Sequence, residues 1–510
     1  MLRTHIPSLT LVALSALLLS ASFPRLDQGY LAWICLVPLL LAVARAGTLG
    51  SAFAYGLLGG LLQWSLLLSW IPTVLIQYGG MPLPLAWLLL ALLAALLAAY
   101  QAVACLVVRY LMKRSRTGAL LSFPFVWVSL ELFRTYLVLG GFPWLLLGYS
   151  QTRWLSLIQV SDITGVFGVS FVIAWVNASL AWLLVQRRPW HAALWPAATG
   201  LVLVVGCATY GRAVLAEWST VPALYRAALL QGNLDFDEPA DTLAWKFDQG
   251  YRQLASKIAD GPADLIVLPE SPAPLSFQFD ARYRDDVESL ASRATLGLVF
   301  SNVHYLQAGG VTRYFNSAYF LEGDGNLAGR YDKIHLVPFG EYVPWRGLFF
   351  FAESITKDVG SFSPGSQYTV PRMGGRPLSA LICFEAVFPQ LARRFTQRDS
   401  QLIVNLTNDR WYGDSAAPYQ HLEMARWRAV ENRRYMLRAA NSGISAIVEP
   451  TGRIQSSTAL LRSAVCSGRF AFIRGETLYA RYGDVFAALC AIISAVLIAV
   501  AAIGGRGRRA

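Results

Sequence analysis

Residues 376–390 read RPLSALICFEAVFPQ, a short apolar run that closes on a cysteine, an aromatic residue and an acid. Its length and its flanking prolines suit one buried strand better than a helix. Comparable runs recur in YRAALLQGN, ADLIVLPES, LGLVFSNVHYL, NSAYFLEGDGN, QLIVNLTND and GISAIVEPTGRI, each bounded by Gly, Pro, Asn or Asp turn signals. Between them, 240–259, 281–294 and 419–438 carry apolar residues near the 3.6 period and are read as helices. Strands alternating with helices predict an α/β unit, a sheet covered by helices, whose chemistry gathers where strands end.

The surroundings of this unit are different. The chain has 510 residues, 55% hydrophobic and only 15% charged, which is too apolar for a soluble protein. About 20 apolar residues cross a bilayer as a helix. Segments of that character lie at 8–23, 30–43, 49–74, 84–108, 119–133, 165–185, 192–210 and 485–503, predicting about eight transmembrane helices. Only Arg3 precedes the first, and SASFPRLDQGYLAW runs straight into more apolar sequence, so a retained helix is expected and not a cleaved signal peptide. The organisation expected is a seven-helix membrane domain over 1–212, an extracytoplasmic catalytic domain over 213–484, and a final helix with a basic cytoplasmic tail over 485–510.

Charge orients this arrangement, because Lys and Arg collect in cytoplasmic loops. With the N-terminus inside, eleven basic residues lie inside (Arg3, Arg45, Arg109, Lys113, Arg114, Arg116, Arg187, Arg188, Arg506, Arg508 and Arg509), against Arg25, Arg134 and Arg153 outside. The net charge of +12 then belongs to the membrane part, and 213–484 holds 28 basic and 28 acidic residues. A nucleic-acid partner, which would need a basic face, is not expected.

Four of the six cysteines, Cys35, Cys105, Cys207 and Cys490, fall in predicted spans and read as small buried hydrophobes. Cys383 and Cys466 remain. No CxxC and no Cys/His spacing suggests a metal, and no cofactor is expected. A thiol is mostly protonated at neutral pH, so a nucleophilic cysteine needs a nearby cation or base. Two other strand ends carry such groups: DLIVLPES ends near Glu270, and GRYDKIHLVPFGEYVPW holds Lys333 and Glu341. Taken singly, these are a turn acid, a solvated lysine and a core cysteine; together they make a base, a cation and a nucleophile.

Glu270 in LPES, Lys333 in YDKIHLVPFGEYVP and Cys383 in ICFE, in that order, resemble the Glu-Lys-Cys triad of the nitrilase, or carbon-nitrogen hydrolase, superfamily. With helices on both sides, the chain is more specifically similar to the apolipoprotein N-acyltransferase family. GFPWLLLGYSQ and DITGVFGVSF in the membrane half carry that likeness, as does the long run from NLTNDRWYGDS to IVEPTGRI. The resemblance implies a nitrilase-like αββα sandwich, with Cys383 as nucleophile, Glu270 as general base and Lys333 as stabiliser of negative charge. It gives Glu341, Phe384 and Glu385 supporting roles, and makes Asn408 and Trp411 part of a substrate pocket. A disulfide between Cys383 and Cys466 would disable such a site and is not expected. Two positions depart from the family pattern: Phe384 stands where Tyr is common, and the Lys-Trp pair usual after the QGN strand is absent, with Trp245 arriving later.

The implied function is N-acylation of the N-terminal diacylglyceryl-cysteine of apolipoproteins, through a Cys thioester acylated by a phospholipid. The partners are then a phospholipid donor, an apolipoprotein acceptor and the membrane, and the location is the bacterial inner membrane with the catalytic domain on the periplasmic side. A membrane-tethered amidase or nitrilase shares the triad. A transporter or scaffold is disfavoured because the predicted spans hold few ionisable residues, with Glu131 the main acid. The segment 341–362, EYVPWRGLFFFAESITKDVGSF, is too short to span; it reads either as a lid on the domain's own core or as an amphipathic lid in which Trp345, Phe349 and Phe350 meet the outer leaflet. On the second reading, replacing Phe349, Phe350 and Phe351 with Ser should slow phospholipid turnover in folded protein, and an unchanged rate would sink it.

Overall fold

The computed structural model describes residues 7–137, 140–186, 194–234, 239–258, 261, 263–342 and 362–506. Trp345, Phe349 and Phe350 of the expected lid lie outside them. The chain forms two compact units, one of Met1–Gln77, Met81–Ala216 and Tyr482–Ala510, the other of Tyr78–Gly80 and Glu217–Arg481.

The first unit is helical. Among the described residues four helices are long and apolar enough to cross a membrane: Leu83–Lys113, Val166–Val185, Leu194–Trp218 and Val485–Ile503. Leu49–Leu67 and Ile71–Gln77 form a fifth candidate bent by 51°, with Pro72 just beyond the break. The remaining expected spans are shorter. Ser8–Ala21 and Phe123–Tyr136 have 14 residues each, about 21 Å at 1.5 Å per residue against a core of about 30 Å. The second segment opens as a 3-10 turn, Gly29–Trp33, before the helix Val37–Arg45.

Close helix packing here depends on small residues, as expected where lipid removes the hydrophobic drive between helices. A Cβ on Gly56 would sit 2.6 Å from Ala102 Cα, and one on Gly60 would sit 2.7 Å from Ala98 Cα, so the two helices approach nearly backbone to backbone. Polar side chains secure the irregular stretches instead of lining a path. Asn177 accepts from Leu36 N (2.8 Å) and donates to Ala32 O (2.9 Å), and Gln151 donates to Gly29 O (2.9 Å). Glu131 accepts from Leu147 N (2.7 Å) and Trp127 Nε1 (3.1 Å), and Arg134 donates to Trp144 O (2.7 Å). Together they satisfy the non-helical backbone of GFPWLLLGYSQ, a requirement where no water is at hand. Arg134, read above as an outer-loop charge, is therefore a buried helix residue, leaving Arg25 and Arg153 in that tally.

Among the described residues the second unit carries thirteen strands: β1 (Tyr225–Gln231), β2 (Leu265–Val267), β3 (Gly297–Ala308), β4 (Val311–Leu321), β5 (Leu327–Asp332), β6 (Arg372–Met373), β7 (Arg376–Pro377), β8 (Ser379–Ile382), β9 (Ile403–Thr407), β10 (Met436–Ala440), β11 (Ala446–Val448), β12 (Ile454–Ser457) and β13 (Ala464–Phe470). They form a six-stranded sheet, β13-β1-β2-β3-β4-β5, a five-stranded sheet, β12-β11-β10-β9-β8, and the β6-β7 ribbon. Each large sheet has a parallel centre, β1-β2-β3 and β8-β9-β10, with antiparallel flanks. The sheets pack face to face through β1 on β10 and β4 on β8.

Helices cover the outside. Ala240–Ser256 and Ala281–Ala291 turn Phe247, Tyr251, Leu254, Val287 and Leu290 onto Leu230, Ile266 and Leu298 of the first sheet. Pro389–Thr396 and Ala417–Asn432 cover the second. The result is the layered α/β arrangement expected. One helix was overextended in the sequence reading: 419–438 is not continuous. It stops at Asn432, where Arg433 takes a left-handed φ of 48°, and Met436–Ala440 is a strand, buried throughout and so without the alternation that marks half-exposed strands.

Gly60→Val would force the Leu49–Leu67 and Leu83–Ser115 helices apart. It should destabilise the helical unit by about 1–3 kcal/mol, read as a lower unfolding midpoint in detergent, whereas Gly47→Ala, with nothing within 4 Å, should leave it unchanged.

Candidate active site

Cys383 follows β8, and its backbone adopts φ +51°, the left-handed region in which an L residue is strained by about 1–2 kcal/mol. The strain is held by the residue two places on. Glu385 is fully buried; its Oε2 accepts from Ile382 N (2.8 Å), and its Oε1 accepts from Tyr331 Oη (2.7 Å), Ile334 N (2.9 Å) and His335 N (3.1 Å). One carboxylate thus joins the cysteine turn to the loop that carries Lys333. Burial raises the pKa of Glu385, and these donors and Lys333 act against that rise.

Lys333, just after β5, is 1% exposed, with Nζ 2.9 Å from Glu341 Oε1 and 3.7 Å from Glu270 Oε1. Burial works against its charge, yet Glu341 and Glu270 outweigh burial and raise its pKa, so the ammonium persists. Glu270, beyond β2, accepts from Asn316 Nδ2 (2.8 Å) and from Asn408 N (3.0 Å). Burial raises its pKa, with Lys333 opposing and Glu341 adding to the rise. Glu341 accepts from Asn316 (3.0 Å) and Val337 N (2.8 Å) besides the lysine. One asparagine of β4 therefore spaces the two carboxylates.

The Cys383 thiol is pushed up by burial and then by Glu270, against the pull of Lys333. The pull of a nearby cation on the thiol is thus outweighed in the folded site by burial and Glu270. Beneath the cysteine lies a second polar group. His421 Nε2 is 3.1 Å from Cys383 O, and its Nδ1 is 3.0 Å from Asp409 Oδ1. Asp409 also accepts from Thr407 Oγ1 (2.9 Å) and Arg438 Nη2 (2.7 Å), and Arg438 donates to Asn405 as well. Burial alone would raise Asp409, but Arg438 and His421 bring it to about 2.

The structure brings Glu270, Lys333, Cys383, Glu341 and Glu385 together. Asn408 joins them through its backbone, its Oδ1 accepting from Arg410 N (3.3 Å) and Asn441 Nδ2 (3.3 Å). Phe384 packs on Phe388 (ring centroids 5.0 Å apart) and His335 (6.0 Å). Trp411 is 38% exposed and meets Tyr78 edge-on at 5.0 Å. Trp245 lies on the exposed face of Ala240–Ser256. Sequence reasoning missed Asn316, Tyr331, His421, Asp409 and Arg438. The available signal was a polar residue inside an apolar strand, as in RYFNSAYF, or a charge inside MLRAA, where neither turn nor solvent accounts for it.

Two family models match this chain: the apolipoprotein N-acyltransferase N-terminal domain over residues 15–179 and carbon-nitrogen hydrolase over 226–467. An apolipoprotein N-acyltransferase of Geobacter metallireducens is 41% identical over 96% of this chain and 94% of its own. One from Methylococcus capsulatus is 36% identical over 85% of this chain and 84% of its own.

Glu385→Gln would set an amide N–H against one of four backbone or hydroxyl donors. It should cost about 1.5–3 kcal/mol of stability and most of the activity, read by denaturant unfolding beside an acyl-transfer assay; Asp399→Asn, at an exposed ion pair with Arg372, should change neither.

Proposed function

The chain belongs to the apolipoprotein N-acyltransferase family and is an acyltransferase; from that premise we propose that Glu270, Lys333 and Cys383 carry its two-step reaction. The observation that supports this reading is the buried lysine between two carboxylates, with a strained thiol at the neighbouring strand end. The amidase alternative has the same charges but no use for the membrane half that the family shares.

In the first step Glu270 takes the thiol proton as sulfur attacks an ester carbonyl of a phospholipid, most simply the sn-1 chain. The carbonyl oxygen becomes an oxyanion beside the Lys333 ammonium and the Phe384 N–H, groups fixed in place before charge develops. The C–O bond breaks, Glu270 returns the proton to the departing oxygen, and a lysophospholipid leaves a Cys383 thioester. In the second step the α-amine of a diacylglyceryl-cysteine attacks that thioester while Glu270 accepts its proton. The C–S bond breaks, the amide forms, and the proton returns to sulfur. Glu341 holds Lys333, Glu385 holds the turn, and Asn408 and Trp411 border the acyl-binding side.

The location follows from the same reading. On that reading eight crossings, three of them by shorter helices, together with the excess of basic residues in the alternate loops, would put the catalytic unit on the periplasmic side of the inner membrane. Two substrates anchored in one leaflet would then meet at the mouth of the site. Reporter fusions ending at residue 212 should be active only outside the cytoplasm.

Incubation with acyl-labelled phospholipid should leave wild-type protein labelled and Cys383→Ala unlabelled; label retained on the variant overturns the assignment. Acylation should also depend on pH through Glu270. Because its pKa is raised above the ordinary carboxylate value, the ionised base is lost as pH falls through that raised pKa, and the rate of thioester formation should fall with it. Glu270→Gln should be slow throughout and show no such acid limb.

A further inference from the structure

The peptide joining Cys383 to Phe384 has one carbonyl and one N–H, and in a trans peptide the two point in opposite directions from a single rigid plane. The carbonyl end is gripped: His421 Nε2 lies 3.1 Å from Cys383 O, in a site where His421 is 1% exposed. A carbonyl oxygen only accepts, so Nε2 carries the hydrogen. The ring is itself fixed from behind. Its Nδ1 lies 3.0 Å from Asp409 Oδ1 and 3.1 Å from Arg438 Nη2, and Asp409 is anchored by Thr407 and Arg438. All three side chains are buried and come from separate elements: the turn after β9, the Ala417–Asn432 helix, and β10.

We propose that His421 is a positioning residue for the oxyanion site: by holding the Cys383 carbonyl it aims the Phe384 N–H toward the acyl carbonyl oxygen and keeps the cysteine in its left-handed conformation. This rests on the reading of Cys383 as nucleophile. The arrangement assigns a purpose to a fully buried histidine that takes no proton from either substrate. A hydrogen bond at the carbonyl end also polarises the peptide, strengthening its N–H as a donor. Because an oxyanion forms in both half-reactions, His421 acts on acylation and on amide formation alike, and substrate binding is left untouched.

Two substitutions separate the ring nitrogens. His421→Gln places an amide N–H near the Nε2 position and keeps the bond to Cys383 O; His421→Asn reaches only the Nδ1 position and keeps the Asp409 side. Wild type and both variants, matched for unfolding midpoint in detergent, are assayed for thioester formation from labelled phospholipid and for transfer to a diacylglyceryl peptide. The Asn variant should be slower than the Gln variant in kcat by roughly tenfold, about the worth of one hydrogen bond, in both steps and with KM unchanged. His421→Met, similar in volume and without an N–H, should match the Asn variant and replaces it should that chain fail to fold. Equal rates in the Gln and donor-free variants, or an effect confined to KM, would overturn the proposal. Wild type forming no thioester at Cys383 would instead overturn the nucleophile reading, and this proposal with it.

Discussion

Everything in the catalytic unit is arranged around one buried cation. A lysine 1% exposed to solvent is unstable as an ammonium unless its lost hydration is replaced, and here Glu341 at 2.9 Å and Glu270 at 3.7 Å replace it. Two carboxylates for one ammonium leave a surplus negative charge, and that surplus has a consequence. It adds to burial, the larger cause, in raising Glu270 and the Cys383 thiol, against the pull of Lys333 on both.

The helical unit uses its buried charges in another way. Glu131 and Arg134 lie one turn apart on one helix, and both spend their hydrogen bonds on backbone groups of the 142–147 stretch. Irregular backbone inside an apolar bundle is stable only when such donors and acceptors are met by protein. That explains how GFPWLLLGYSQ can leave helical geometry there, and why ionisable residues in this unit do not mark an ion path. The same logic accounts for Asn177, whose amide serves the break between Gly29–Trp33 and Val37–Arg45.

Much of this was legible in the sequence, for a physical reason. Short apolar runs ended by Glu270, Lys333 and Cys383 are strand ends, and strand ends of two facing sheets converge, so residues more than a hundred positions apart could be grouped before any coordinates. What escaped was support from strand interiors and helices. Asn316 sits between apolar neighbours and looked like a turn residue; His421 and Arg438 were two among many polar residues of one long helical pattern that in fact breaks at Arg433. Hydropathy also reads apolar length through a 3-10 turn or a bend without registering either, as at 30–43 and 49–74.

The surplus charge also bears on the order of events. On the proposed reaction, acylated Cys383 can no longer ionise, and Glu270 is the proton acceptor beside the thioester carbonyl. Burial raises its pKa, Lys333 opposes and Glu341 adds to the rise, and those two charges are the same in both half-reactions. The site therefore presents the same base and the same cation to an ester and to an amine, and discrimination between hydrolysis and aminolysis cannot come from the triad. It has to come from what excludes water around the thioester. On the proposed reaction that role falls to the apolar surroundings, Phe384 packed on Phe388 among them.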